Sequence, residues 1–149
     1  MLFHESKRMK PHGNGRYKVL VVDDDPSVLA TYGRLLSRAG YDTKTEENPV
    51  RVLADGMADD RVDLILIDFR MPEMDGLALL AELRRRQCRA RCILISAFLN
   101  EDVRDRARVL GVDRVLEKPV DVLSLRQAIV DLLPLAGGGA PSGRSGEQG

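Results

Sequence analysis

Two periodicities alternate along the middle of this chain, and that alternation restricts its fold more than any other feature. Short apolar runs occupy residues 19–22, 62–67, 92–95 and 114–116, with weaker β character at 41–45. Between them the apolar residues fall at helical spacing. Val28, Tyr32, Leu35, Leu36 and Ala39 form one stripe, opened by Asp25-Pro26 as cap and first helical residue and closed by Gly40. Asn48-Pro49 repeats the device before Val50, Leu53, Ala54 and Met57. Asp75 can cap a helix carrying Leu77, Leu80 and Leu83, and Asn100 one carrying Val103, Ala107 and Leu110, stopped by Gly111. Val122, Leu125, Ile129 and Leu132 form the last stripe, stopped by Pro134. The order is strand then helix, five times over.

Strands separated by helices of this length require right-handed crossovers between parallel neighbours, with helices on both faces of one sheet. The expected class is therefore a doubly wound α/β fold with five strands and five helices. Residues 62–67 are nearly all apolar, as a central strand covered on both faces should be. In such sheets ligands bind beyond the carboxyl ends of the strands, so the chemistry is expected in the residues that end them.

Those residues are polar and few. The first strand ends in Asp23-Asp24-Asp25, the third in Asp68, the fourth in Ser96, and the fifth in Glu117-Lys118-Pro119. All four ends share one edge of the sheet, so three or four carboxylates, one hydroxyl and one ammonium converge. Carboxylates held together repel, and without compensation at least one resists ionising. A hard divalent cation resolves the conflict. Oxygen-only ligands without histidine point to Mg²⁺, which keeps several waters and often completes its shell with a phosphate. Lys118 could neutralise an anion bound between itself and the metal, and Ser96 could donate to the same anion. The set describes a site for a phosphoryl group on Asp68.

At this point the sequence resembles the receiver domain of two-component response regulators. The resemblance covers residues 17–134. It rests on Val21-Val22-Asp23-Asp24-Asp25, on Asp68 with Met71-Pro72-Glu73-Met74-Asp75-Gly76, on Ser96-Ala97, on Gly111 with its following strand, and on Lys118-Pro119. It implies a flavodoxin-like sheet of order 2-1-3-4-5 and a cis Lys118-Pro119 bond. It implies Asp68 as phosphoacceptor, with Asp24 and Asp68 as direct Mg²⁺ ligands and the backbone carbonyl of Arg70 as a third. Asp23 would act mainly through a bound water. Lys118 would pair with the phosphoryl oxygens, and Ser96 would hydrogen-bond them once they arrive. The phosphoryl donor would be a sensor histidine kinase or a phosphotransfer protein. The face made by the fourth helix, fifth strand and fifth helix would then repack and bind a partner. Receivers often form homodimers when phosphorylated, and that too is implied.

Three positions depart from the common pattern or tune it. Many receivers carry Tyr or Phe three residues before the lysine, where this chain has Val115. The chemistry is untouched, but the usual aromatic coupling is missing. Positions 70 and 98 flank the phosphoryl group in the family, and both are large here, Arg70 and Phe98. Their bulk is expected to hinder in-line water and lengthen the phosphorylated lifetime, with plain packing the alternative for Phe98.

Other classes are set aside on specific residues. Phosphohydrolases of the haloacid-dehalogenase type need a second Asp two residues after the nucleophile, and Arg70 stands there. A pseudo-receiver that never takes phosphate is the alternative, opposed by the full set Asp24, Asp68, Ser96 and Lys118. No phosphate loop of the G-x-x-x-x-G-K-[ST] or G-x-G-x-x-G kind occurs at the first strand–helix turn. The chain has 149 residues, with 23 basic and 23 acidic side chains. That balance argues against nucleic acid or an anionic membrane as a partner. Cys88 and Cys92 read as reduced core or near-core thiols, and His4 and His12 lie far away in a polar leader. No apolar run reaches the ~18 residues that span a bilayer, and no signal peptide is visible, so a cytoplasmic protein is expected. Arg84, Arg85, Arg86, Arg89 and Arg91 form the one dense charge run, read as a solvated helix end. Residues 1–16 read as a flexible leader and 135–149 as a flexible tail rich in Gly and Ser. With that little chain after the folded body, the output is expected to lie in a separate protein.

Overall fold

This computed structural model describes residues 15–58 and 61–134. Nearly all of the leader, the whole of the tail, and His4 and His12 fall outside them. Five strands alternate with five helices: β1 (Lys18–Val22), α1 (Pro26–Arg38), β2 (Asp42–Glu46), α2 (Pro49–Ala54), β3 (Leu64–Asp68), α3 (Gly76–Arg85), β4 (Arg91–Ser96), α4 (Glu101–Val109), β5 (Arg114–Glu117) and α5 (Val122–Leu132). All pairings are parallel, in the order β2-β1-β3-β4-β5. The topological switch point falls between β1 and β3, which pair from Val19 with Leu64 to Val22 with Ile67.

Strand pleating sorts the core into two layers. Val19 and Val21 of β1 face the side covered by α1 and α5, with Leu36, Leu66 and Ile129. Leu20 and Val22 face the other side, with Val52, Ile67 and Leu80. A smaller cluster of Phe69, Leu77, Leu94, Val103 and Ala107 seats α4 against α3 and β4. β3 is buried at every position, as a central strand must be. Five side-chain caps start the helices: Asp25, Asn48, Asp75, Asn100 and Asp121 each accept from a backbone N–H two or three residues on. Pro26 and Pro49 open α1 and α2. Gly40 takes φ of 100° just past α1, a conformation that suits glycine. No helix among the described residues is long and apolar enough to cross a membrane.

Several local expectations shift. β3 begins at Leu64 rather than at 62, although the Asp63 backbone already bonds the starts of both neighbouring strands, donating to the Lys18 carbonyl at 2.9 Å and accepting the Arg91 N–H at 3.0 Å. The buried Asp63 carboxylate accepts the Lys18 N–H at 2.8 Å and an ion pair from Arg61 at 3.3 Å. α2 buries Pro49 and Val52, whereas Val50 is exposed. Val122 of α5 is also exposed. Val50 is one residue off the buried face that Pro49 and Val52 share, and Val122 is the first residue of α5, before the buried positions from Leu125 onward. The arginine run is a solvated helix end at Arg85, Arg86 and Arg89, which are exposed, but Arg84 and Arg91 are half-buried and serve as ties. Arg84 donates to the carbonyls of Leu110, Cys88 and Ala90 at 3.1, 3.0 and 2.8 Å, joining two loops that α3 would otherwise leave free. Arg86 reaches the Leu53 carbonyl, Arg85 pairs with Glu82, and Arg91 pairs with Asp113. Cys88 and Cys92 are both free thiols, and burial pushes Cys92 up to about 12.

Candidate functional site

The carboxyl ends of β1 and β3 lie side by side, so their acidic residues are brought together by sheet register alone. Asp23, Asp24 and Asp68 each offer a carboxylate oxygen, and these lie within 4.8 Å of one another. Asp23 and Asp68 are buried, and Asp24 is open to solvent. Asp25, the third acid of the run, does not join them. Its carboxylate caps α1, accepting from the Ser27 backbone at 2.9 Å and hydroxyl at 2.8 Å. Glu117 is exposed at the end of β5.

Lys118 comes from the far side. Its backbone N–H donates to the Ser96 carbonyl at 2.8 Å, fixing the end of β5 to the end of β4. Its Nζ then reaches Asp68 Oδ1 at 2.7 Å. The Lys118-Pro119 bond is cis, as the resemblance implied. Burial is the first cause acting on Lys118 and works against its charge. The Asp68 hydrogen bond and the neighbouring carboxylates outweigh it, and the ammonium is held above its usual range.

The acids behave as crowded, desolvated groups. Burial pushes Asp23 up to about 6; the Asp25 N–H bonded to it at 2.9 Å opposes that, and the Asp68 charge adds to it. Asp68 is also raised, chiefly by burial, despite its lysine partner. One ammonium therefore does not balance three carboxylates, which is the condition a bound cation relieves. An all-oxygen donor set that is part buried and part open to water fits Mg²⁺, with Asp23, Asp24 and Asp68 as the side chains able to hold it. Arg70, whose backbone carbonyl was the third expected direct ligand, lines the open cleft beside them. That cleft is about 470 Å³ and is also walled by Asp24, Phe69, Met71, Pro72 and Asp75.

Gly76 explains why the loop after β3 closes so tightly. Its N–H donates to the Phe69 carbonyl at 2.7 Å. A Cβ there would stand 2.5 Å from the Asp68 carbonyl oxygen and 2.6 Å from an Ile67 methyl. Only glycine lets the helix start this close to the strand end that carries Asp68.

Ser96 is fully buried at the end of β4, with its hydroxyl turned along its own chain. It donates to the Phe98 carbonyl at 2.8 Å and accepts the Phe98 N–H at 3.0 Å. Phe98 itself is 53% exposed, so it is not a core residue. Its ring instead stacks with the Arg70 guanidinium, 5.6 Å from the ring centroid. The two large residues that sequence reading placed beside the site are thus partners of each other, and Arg70 lines the open cleft. Val115 is half-buried against the small cluster that seats α4.

Two residues near the site were missed in the sequence. Tyr32, read only as part of the α1 stripe, carries a phenol raised first by burial and then by the Asp23 charge, with Lys118 opposing. Arg106 of α4 reaches Asp75 and the Phe69 ring. Neither had a sequence signal beyond residue type: the Arg106 contacts cross between distant elements, and an apolar stripe does not say that Tyr32 faces Asp23 and Lys118.

Comparison with known proteins agrees with this geometry. Residues 19–130 match the response regulator receiver domain family. The chain is 30% identical over 118 residues to sporulation initiation phosphotransferase F of Bacillus subtilis, covering 79% of this chain and 94% of that protein. It is 38% identical over 115 residues to the transcriptional regulatory protein GlrR of Escherichia coli, covering 77% of this chain but only 26% of GlrR. The signal receiver domain of an HD domain-containing protein from Pseudomonas fluorescens superposes with a TM-score of 0.72 at 28% identity, covering 79% of this chain and 94% of that one. A five-stranded parallel sheet of order 2-1-3-4-5, an acid cluster at its switch point and a match across most of the folded body lead to one conclusion: the chain belongs to the receiver domain family of two-component response regulators.

Proposed function

We propose that Asp68 accepts a phosphoryl group from the phosphohistidine of a sensor kinase or phosphotransfer protein. The P–N bond breaks as a P–O bond to the Asp68 carboxylate forms. The observation that carries this reading is the pair at the sheet edge: the Lys118 ammonium 2.7 Å from Asp68 Oδ1, with the Asp23 and Asp24 carboxylates gathered beside it. Mg²⁺ bound by Asp24, Asp68 and the Arg70 carbonyl, with Asp23 acting mainly through a bound water, would neutralise the acids and draw charge from the transferring phosphoryl group. Lys118 holds one Asp68 oxygen and leaves the other to attack. After transfer the same ammonium stands where the new phosphoryl oxygens need a counter-charge.

Ser96 supplies the switch. A hydroxyl has one proton to donate, and here it goes to the Phe98 carbonyl. Donation to a phosphoryl oxygen requires that bond to break, which frees the loop leading into α4. Phosphorylation adds about −1.5 to −2 charges to draw the hydroxyl over. The consequence is a changed face of α4, β5 and α5 for a protein partner to read. The contact of Arg70 with Phe98, and the place of Arg70 in the cleft wall, support the reading that these two side chains obstruct water approaching in line with the P–O bond and prolong the phosphorylated state.

The reading is tested by incubating the protein with a phosphohistidine donor and, separately, with acetyl phosphate, each with Mg²⁺ and with excess chelator. Intact mass should show one added phosphoryl group with Mg²⁺ and none with chelator. Uptake that ignores the chelator contradicts the metal assignment.

A further inference from the structure

Arg106 lies well into α4, and its guanidinium makes two contacts at once. One nitrogen is 3.4 Å from each carboxylate oxygen of Asp75. The guanidinium carbon is 5.8 Å from the centroid of the Phe69 ring. Both targets belong to the segment that leaves Asp68. Phe69 follows it directly, its N–H bonded to the Ile95 carbonyl at 2.8 Å and its own carbonyl to the Gly76 N–H. Asp75 caps α3 by accepting the Ala78 N–H at 2.8 Å.

The start of α4 is tied to a different group. Asn100 caps the helix through the Val103 N–H at 2.9 Å, and Phe98, two residues earlier, is bonded at both its N–H and its carbonyl to the Ser96 hydroxyl. When Ser96 releases Phe98, the start of α4 is free to move while Arg106 still fastens the helix to α3.

We propose that Arg106 is a positioning residue that pins α4 to the loop after Asp68 in the unphosphorylated conformation, and so sets how readily Ser96 turns to the phosphoryl group. The inference rests on the phospho-accepting reading above. It follows from what the guanidinium joins: both groups it meets, Phe69 and Asp75, are fixed to the segment that leaves the phosphoacceptor strand, and the arginine itself is carried by the helix that must shift. A half-exposed ion pair and a cation–π contact are each weak, so their loss leaves the fold standing. Yet together they can move a two-state equilibrium by about three- to tenfold.

The test uses the full chain and three variants: R106M, D75N and the double variant. Methionine keeps an unbranched apolar stem over Phe69 without the charge, and asparagine keeps the α3 cap. The readouts are the initial rate of phosphoryl uptake from acetyl phosphate at saturating Mg²⁺, and amide exchange in the unphosphorylated protein. R106M should take up phosphoryl about three- to tenfold faster than wild type. Amides of α4 should exchange faster by a similar factor, with those of β1 and β3 unchanged. D75N should act in the same direction, and the double variant should be no faster than R106M, as one shared contact requires. Uptake by R106M equal to or slower than wild type overturns the proposal, as do unchanged α4 exchange or additive effects of the two substitutions. Wild type that takes no phosphoryl group overturns the phospho-accepting reading and this inference with it. Wild-type uptake that R106M leaves unchanged removes this inference alone.

Discussion

Replacing Gly76 by alanine adds one methyl group at the point where α3 starts behind Asp68. The new Cβ would lie 2.5 Å from the Asp68 carbonyl oxygen and 2.6 Å from the Ile67 Cγ2. The first neighbour is backbone in the central strand, so it cannot swing aside, and either the helix start or the strand end must shift. Overpacking of this kind costs about 1–3 kcal/mol, against which any gain in helix propensity at a first-turn position is small. At roughly 4 °C per kcal/mol for a domain of this size, the melting temperature should fall by about 4–12 °C. Gly33 is the internal control. It lies inside α1, where a Cβ would meet only the Thr45 methyl at 3.4 Å, an ordinary contact. Gly33→Ala should therefore leave stability unchanged or raise it by up to ~1 kcal/mol. Thermal unfolding followed by circular dichroism reads both. Moving the Asp68 backbone also displaces its carboxylate from Lys118 and the other acids, so phosphoryl uptake by Gly76→Ala should slow by about tenfold or more in the folded protein. A Gly76→Ala protein that melts within about 1 °C of wild type and is phosphorylated at the same rate would refute the steric argument.

Three other expectations follow from named contacts. Phe98→Ala removes the ring that Arg70 covers, so the phosphorylated protein should lose phosphate faster; an unchanged rate, measured by mass against time, takes Phe98 out of the account. Tyr41 donates to the buried Leu133 carbonyl at 3.0 Å, so Tyr41→Phe should cost about 1–3 kcal/mol in denaturant unfolding. Burial pushes that phenol from 10.0 up to about 12; the raised pKa favours the neutral folded form, so its contribution is intact below pH 10 and lost as pH rises from 10 to 12. Ultraviolet titration that finds all three tyrosines ionising normally near pH 10 would contradict this. Cys92 is fully buried and Cys88 only partly so, hence a thiol reagent added to native protein should label Cys88 first and Cys92 only on unfolding.

The fold was legible because each element carries its own signal. Apolar runs of period two, stripes of period 3.6 and a polar cap before each stripe are local facts, and a β-α alternation leaves few ways to bury them. The site was legible for the same reason: in a parallel sheet every strand end falls on one edge, so Asp23, Asp24, Asp68, Ser96 and Lys118 converge without any knowledge of side-chain geometry. What did not show in the sequence are contacts between distant elements. The apolar frame of residues 62–67 hid Asp63, a buried carboxylate that receives the Lys18 N–H across the sheet. The arginine run looked like a solvated surface, whereas Arg84 gathers three carbonyls from two loops. Asp25 looked like a fourth member of the acid cluster, but its turn geometry spends it on Ser27. Residue type announces that a charge exists; only the packed chain decides which partner it meets.

The central claim is that Asp68 is the phosphoryl acceptor, and paired intact-mass measurements on wild type and Asp68→Asn with Mg²⁺ and acetyl phosphate test it most directly. Asparagine matches aspartate in size and polarity at a strand end, so the fold should survive, as circular dichroism can verify. The account predicts one phosphoryl group on wild type and none on Asp68→Asn. Equal adducts on the two proteins, or none on wild type, would contradict it.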